Sequence, residues 1–190
     1  MKTKEIVEYM ISILKDKNKK NCLLLAFDRG RGEGKQIENW ILAEMNVKLI
    51  ELKKKENFYS VEGEHKYEGK PPNKKRYEHC DLWWRKNKEE QEEYWLEVKT
   101  IVFCRDKRRG NLNQISNDLE KKNQIKKDKP HIFHHLTIAF IDELIKEKEW
   151  ETRLNEIYEK SKLIKEDILR DYQIDEGKKL SIFLGLGSSS

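Results

Sequence analysis

Cysteine is scarce. Cys22, Cys80 and Cys104 are the only three in 190 residues, odd in number and without paired spacing, which argues against a disulfide framework and for a reducing cytoplasm. No apolar run approaches the roughly 20 residues needed to cross a bilayer, so no membrane partner is expected. The N-terminal stretch MKTKEIVEYMISILK alternates charge with apolar residues at helical spacing, unlike the unbroken apolar core of a signal peptide. A large surplus of one charge is also missing. Forty basic side chains face 35 acidic ones, a net charge of +5, which is compatible with a polyanionic partner without demonstrating one. Apolar residues at 36% and charged residues at 39% suit a single domain with one ordinary core, expected over 1–186, with 187–190 as a disordered tail.

What is present is a succession of periodic segments. Residues 4–16 read as an amphipathic helix with Ile6, Met10, Ile13 and Leu14 on one face. Residues 22–27 are a short apolar run, a strand or the start of a helix. A glycine-rich turn and a helix from about Glu33 to Met45 follow, the helix with Ile37, Trp40, Ile41 and Met45 inward. Residues 47–52 read as a strand, and 53–77, with Gly63, Gly69 and Pro71-Pro72, as a long loop or irregular hairpin. Strands are expected at 79–84 and 93–103, a helix at 113–125 with Ile115, Leu119 and Ile125 inward, and a strand at 131–140 entered through Pro130. Residues 142–173 read as mostly helical and 178–186 as a last strand. The layout is α/β: a mixed central sheet flanked by helices, with helical additions at both ends.

Alternation in the 93–103 strand places Trp95, Glu97 and Lys99 on one face and Tyr94, Leu96, Val98 and Thr100 on the other. If 79–84 and 93–103 form an antiparallel hairpin turning near residue 89, Asp81 falls opposite Glu97, with Cβ atoms about 4.5–5.5 Å apart. Carboxylates that close repel each other, and a divalent cation between them removes the cost. Hard oxygen donors suit Mg²⁺, with Mn²⁺ able to substitute, and such an ion supports phosphoryl chemistry. Lys99, on the same face, is placed to orient or deprotonate a water. Glu-x-Lys by itself has little meaning here, because the chain holds seven, at Glu33, Glu51, Glu64, Glu68, Glu97, Glu120 and Glu176. Only those at Glu51 and Glu97 lie in strand-like surroundings, and only Glu97 has an Asp at the end of a neighbouring strand.

An Asp on one strand and Glu-x-Lys in an apolar next strand resembles the PD-(D/E)XK, or restriction-endonuclease-like, nuclease superfamily. The resemblance spans about 33–140 and implies an αβββαβ core. It implies further that Glu38, on the helix before the first strand, completes the metal site, with Glu33 and Glu44 as substitutes. Gln114, on the helix after Glu-x-Lys, would help hold Lys99 or the backbone, with Asp118 and Lys122 further along that face. His79-Cys80-Asp81 lacks the proline of the family name. The implied activity is a Mg²⁺-dependent deoxyribonuclease, an endonuclease rather than an exonuclease. Asp81, Glu97, the Val98 carbonyl and Glu38 would be its metal ligands. Candidate phosphate contacts are Arg29, Arg31, Lys74, Lys75, Arg76, Arg105, Lys107, Arg108 and Arg109, and cutting both strands would take a homodimer or sequential nicks. The alternative is a non-catalytic nucleic-acid-binding or assembly module on the same fold.

Other motifs carry less. Gly30-Arg-Gly-Glu-Gly-Lys35 has the setting of a phosphate-binding loop but Arg29 and Gln36 where glycine and Ser/Thr are required. His79, Cys80, Cys104, His131, His134 and His135 contain no Cys-x-x-Cys and do not read as structural zinc. Trp83, Trp84 and Trp95 could stack on bases but read first as core.

Overall fold

Apolar residues four apart govern the first half of the chain. The computed structural model describes residues 5, 8, 9, 12, 13, 15–29, 34–56, 60–69, 78–85, 92–103, 108–109, 112–125, 130–142, 152, 155, 156, 159, 166–175 and 178–188. Helix α1 (Lys17–Arg29) takes up the 22–27 run as helix. Helix α2 (Gly34–Glu56) buries Ile37, Ile41, Met45 and Leu49, one per turn. It therefore continues through 47–52, where a strand was expected. In a strand Val47 and Leu49 would share a face; here Leu49 is buried and Val47 is 52% exposed. Leu, Glu and Lys extend the helix with no glycine or proline to stop it before Glu56.

Among the described residues seven strands form one mixed sheet. They are β1 (Ser60–Gly63), β2 (Leu82–Arg85), β3 (Glu93–Phe103), β4 (Arg108–Arg109), β5 (His131–Asp142), β6 (Glu166–Asp175) and β7 (Lys178–Ser188). The order is β1-β2-β3-β5-β7-β6, with β4 beside β3. Pairings are antiparallel except between β3 and β5, which are parallel and joined through helix α3 (Leu112–Glu120) and a 3₁₀ turn (Lys121–Gln124). The hairpin register is the one expected from sequence: Leu82 faces Leu96, so Asp81 lies one step before the first rung. β1 stands inside the expected 53–77 loop.

Two corrections concern the C-terminal part. Residues 166–173, the end of a stretch expected to be mostly helical, lie in β6. Its dense charge reads as helix surface, yet it suits an edge strand, where charge discourages pairing with other chains. Gly187 and Ser188, expected in a disordered tail, pair with Phe133 and Ile132 as the end of β7.

The sheet divides its aromatic residues by alternation. Trp83, Trp95 and Phe133 pack on one face with Tyr67, Cys80, Leu119 and Ile125, and Tyr67 stacks on Trp95 at 5.1 Å. Trp84 stacks on Tyr94 at 5.3 Å and on His134 at 6.0 Å, at positions of opposite parity. Burial drives the His134 ring down to about 3, so it is a neutral packing group. The three tryptophans are thus core. Among the described residues no helix is long and apolar enough to cross a membrane.

The helical assignment of 47–52 is testable by urea denaturation. Leu49→Ala should cost about 2–5 kcal/mol. Val47→Ala should stay within about 0.5 kcal/mol. Equal losses at both positions would contradict the helix.

Candidate functional site

The site begins with a gap at a sheet edge. On one side β3 is paired by β2 as far as Leu96, and β4 pairs only Val102 and Phe103. Between these ladders two carboxylates stand in for a strand. Asp81 Oδ2 accepts a hydrogen bond from the Val98 N–H at 2.7 Å, and Glu38 Oε2 accepts one from the Thr100 N–H at 3.1 Å. The N–H and C=O of a residue point to the same side of a strand, so the Val98 carbonyl shares this edge. Lys99 Nζ lies 3.3 Å from Glu38 Oε2.

On the face carrying Trp95, the parallel register sets three pairs in a row: Trp95 beside Phe133, Glu97 beside His135, and Lys99 beside Thr137. The row passes from apolar to ionisable while still buried; Glu97 is 1% exposed and His135 0%. Tyr67 O–H donates to Glu97 Oε1 at 2.5 Å, and Lys121 Nζ donates to Glu97 Oε2 at 2.9 Å. Lys121 also lies 2.8 Å from Asp118 Oδ1, bridging two carboxylates. His135 Nε2 is 4.0 Å from Asp118 Oδ2, too far for a hydrogen bond, while its Nδ1 lies 3.2 Å from Thr137 Oγ1.

A close backbone approach fixes the covering segment. The Gly69 N–H donates to the Gln124 carbonyl at 2.7 Å. A Cβ on Gly69 would sit 2.9 Å from that oxygen, so a side chain there would push the Tyr67 segment off the turn carrying Lys121.

Burial sets the proton affinities. It raises the Asp81 carboxyl to about 6, against the lowering effect of the Val98 N–H. Burial, then the Asp81 charge, push Glu97 up to about 8 although Lys121 pulls it down. Burial disfavours the Lys121 ammonium, but Glu97 and Asp118 more than offset this and hold it above the usual lysine range. Asp118 is lowered: burial raises it, and His135 and Lys121 outweigh that.

Of the residues singled out in the sequence, Asp81 meets Val98, Glu38 meets Thr100 and Lys99, and Glu97 lies on the same strand with Tyr67 and Lys121 as its partners. Glu44 does not join them, being paired with Lys19 at 2.6 Å. Gln114 is exposed on α3, and among the described residues no hydrogen bond ties it to Lys99. Asp118, one turn further on, reaches the cluster instead. Lys122 is exposed, and Lys121 turns inward because the chain tightens into a 3₁₀ turn after Glu120. Arg108 and Arg109 form β4 beside Phe103 and Val102, and the backbone of Arg29 ends α1. Glu33, Arg31, Lys74, Lys75, Arg76, Arg105 and Lys107 lie outside the described residues.

The donors are of the type a hard divalent cation takes, but their arrangement does not fit one as it stands. Both Glu97 oxygens are engaged by protein donors, and among the described residues no three His, Cys, Asp or Glu side chains are grouped closely enough to hold a metal ion. Compared with family models, curated proteins and solved structures, the chain matches none.

A pH dependence follows from the raised carboxyls. Glu97 moves from 4.5 to about 8 on folding, so between these values the folded chain keeps a proton that the unfolded chain releases. That contribution to stability is full below the unfolded value and is lost as pH rises through the folded one. Asp81 acts with the same sign between 3.8 and about 6. Without divalent cations, the melting temperature should fall from about pH 5 to 9, and Glu97→Gln should flatten the upper part of the curve. A melting temperature that rises over that range would contradict the burial of these carboxyls.

Proposed function

We propose that this chain is a metal-dependent nuclease on a restriction-endonuclease-like core, with DNA as the substrate. The observation that carries the reading is the β3 edge, where Asp81 and Glu38 cap Val98 and Thr100 beside Glu97 and Lys99. The element order supports it. A helix carrying Glu38 precedes three antiparallel strands, and after the two-residue β4 come α3 and a parallel β5, an order that resembles the αβββαβ core of that superfamily with β4 added. Four carboxylates around two lysines are costly to gather below a protein surface, and such perturbed clusters occur disproportionately at functional sites. When bound, a divalent cation would supply charge stabilisation for phosphodiester cleavage. Lys99 and Lys121 are the cluster's own cationic groups, the charge a phosphate backbone would meet.

One observation favours a second reading. With Tyr67 and Lys121 on Glu97, the cluster is neutralised from within, and no displacement is needed to account for it. On this reading the chain is a non-catalytic nucleic-acid-binding or assembly module on the same core, and its side-chain arrangement fits that role directly. The nuclease reading requires Lys121 to release Glu97 when a cation enters.

A cleavage assay separates the two. Supercoiled plasmid and labelled single strands would be incubated with Mg²⁺, Mn²⁺ or EDTA, comparing the wild-type chain with Lys99→Ala and Asp81→Asn. The nuclease reading expects metal-dependent cleavage that falls by roughly 10²-fold or more in either variant. Salt-sensitive binding with no cleavage by the wild type would establish the second reading.

A further inference from the structure

We propose that the solvent-facing side of the His65 ring is a stacking site for one unpaired nucleobase, so that the substrate enters as a single strand. The inference rests on the nucleic-acid reading above and narrows it to a substrate class. The tryptophans that could have stacked on bases are buried, but one of them, Trp83, carries a further ring toward solvent. His65 lies parallel on Trp83, with ring centroids 4.3 Å and planes 12° apart, and meets Trp95 at 5.1 Å in a T-shaped contact. Its Nδ1 is paired with a Glu62 carboxylate oxygen. The side chain is nevertheless 27% exposed, and the surface left to solvent is on the side away from buried Trp83. A half-buried ring held by two aromatic neighbours and a carboxylate has little orientational freedom left to lose on binding. Flat rings presented in this way, imidazole included, are the groups on which single-stranded bases stack.

The place of this ring in the fold sets it beside the carboxylate cluster. The Cys80 N–H donates to the His65 carbonyl at 2.8 Å, and the Glu64 N–H donates to the Asp81 carbonyl at 3.2 Å, so His65 is fixed to the backbone that bears Asp81. Two residues on, Tyr67 stacks on the same Trp95 and reaches Glu97 through its hydroxyl. A base on His65 would therefore leave its sugar-phosphate chain next to the end of the sheet where Asp81 and Glu97 stand. Charge orders the two parts of the nucleotide in the same sense. Glu62 and Glu64 are exposed and disfavour a phosphate at His65, whereas Lys99 and Lys121 stand in the cluster. Inside a duplex each base must leave the stack before a protein ring can take one of its faces. A single strand offers that face at little cost.

The test is binding in EDTA, where no metal-dependent cleavage interferes, followed by the fluorescence anisotropy of labelled oligothymidylate and of an abasic oligomer of equal length. The wild-type chain should bind the thymidylate about tenfold more tightly than the abasic strand, the scale of one stacked base. His65→Ala should lose that preference, binding thymidylate about tenfold more weakly and the abasic strand within about twofold of wild type. His65→Phe, which keeps a flat ring, should stay within about threefold of wild type on both. Equal thymidylate binding by wild type and folded His65→Ala overturns the proposal, as does a wild type that binds both strands alike or neither. Should His65→Ala not fold, the unaltered protein still decides. A single strand carrying iodouracil, irradiated on the protein, should become attached to the peptide bearing His65, read by mass spectrometry, and attachment only elsewhere overturns the proposal. Base-dependent binding without metal-dependent cleavage of any nucleic acid would retire the nuclease reading alone; cleavage with base-independent binding would retire this inference alone.

Discussion

Between the last rung of β2 and the first of β4, strand β3 carries backbone N–H groups at Val98 and Thr100 that no strand pairs among the described residues. Below a protein surface an unpaired N–H costs about 1–3 kcal/mol, so this edge must find acceptors. It finds two carboxylates, Asp81 from the start of β2 and Glu38 from α2. That choice binds three elements to one stretch of backbone. It also introduces negative charge, which makes the nearby lysines a requirement of the fold: Lys99 stands by Glu38, and Lys121 bridges Glu97 and Asp118.

The position of the cluster within the sheet matters as much as its composition. The Trp95–Phe133 pair, stacked by Tyr67, excludes water from one side of Glu97, while the open edge admits Lys99 and the capping carboxylates on the other. Charges at such a boundary interact more strongly than they would in water yet remain reachable. Tyr67 belongs to both regions, with its ring in the aromatic stack and its hydroxyl on Glu97. The Gly69–Gln124 contact keeps it there and anchors the turn bearing Lys121, so the covering segment and the cation are positioned together.

Much of this was legible in the sequence because it follows from period-two alternation and from one hairpin. The symmetry of Asp81 and Glu97 about residue 89 anticipated the Leu82–Leu96 register, and the helical spacing of Ile37 and Ile41 placed Glu38 on a helix before the first strand. What was not legible depends on long-range context. Residues 47–52 are β-prone in isolation, but Leu49 continues a stripe begun by Met45, so packing overrides propensity. The charge of β6 hid a strand that exists because β7 offers it an edge. Lys121 was missed for a local reason: an unbroken helix directs Lys122 rather than Lys121 along the Asp118 face, and only the 3₁₀ turn reverses them.

This reversal bears on what the cluster is for. From that turn Lys121 brings its ammonium to both Glu97 and Asp118. The 3₁₀ turn supplies a fixed positive charge beside them, which draws down the proton affinity of Glu97 and Asp118 and holds the two side chains near one another. Asp81 differs from the other three. It holds a backbone N–H, and among the described residues no lysine lies at hydrogen-bond distance from it. Three carboxyls of the cluster thus stand against lysines, and Asp81 stands against a backbone N–H.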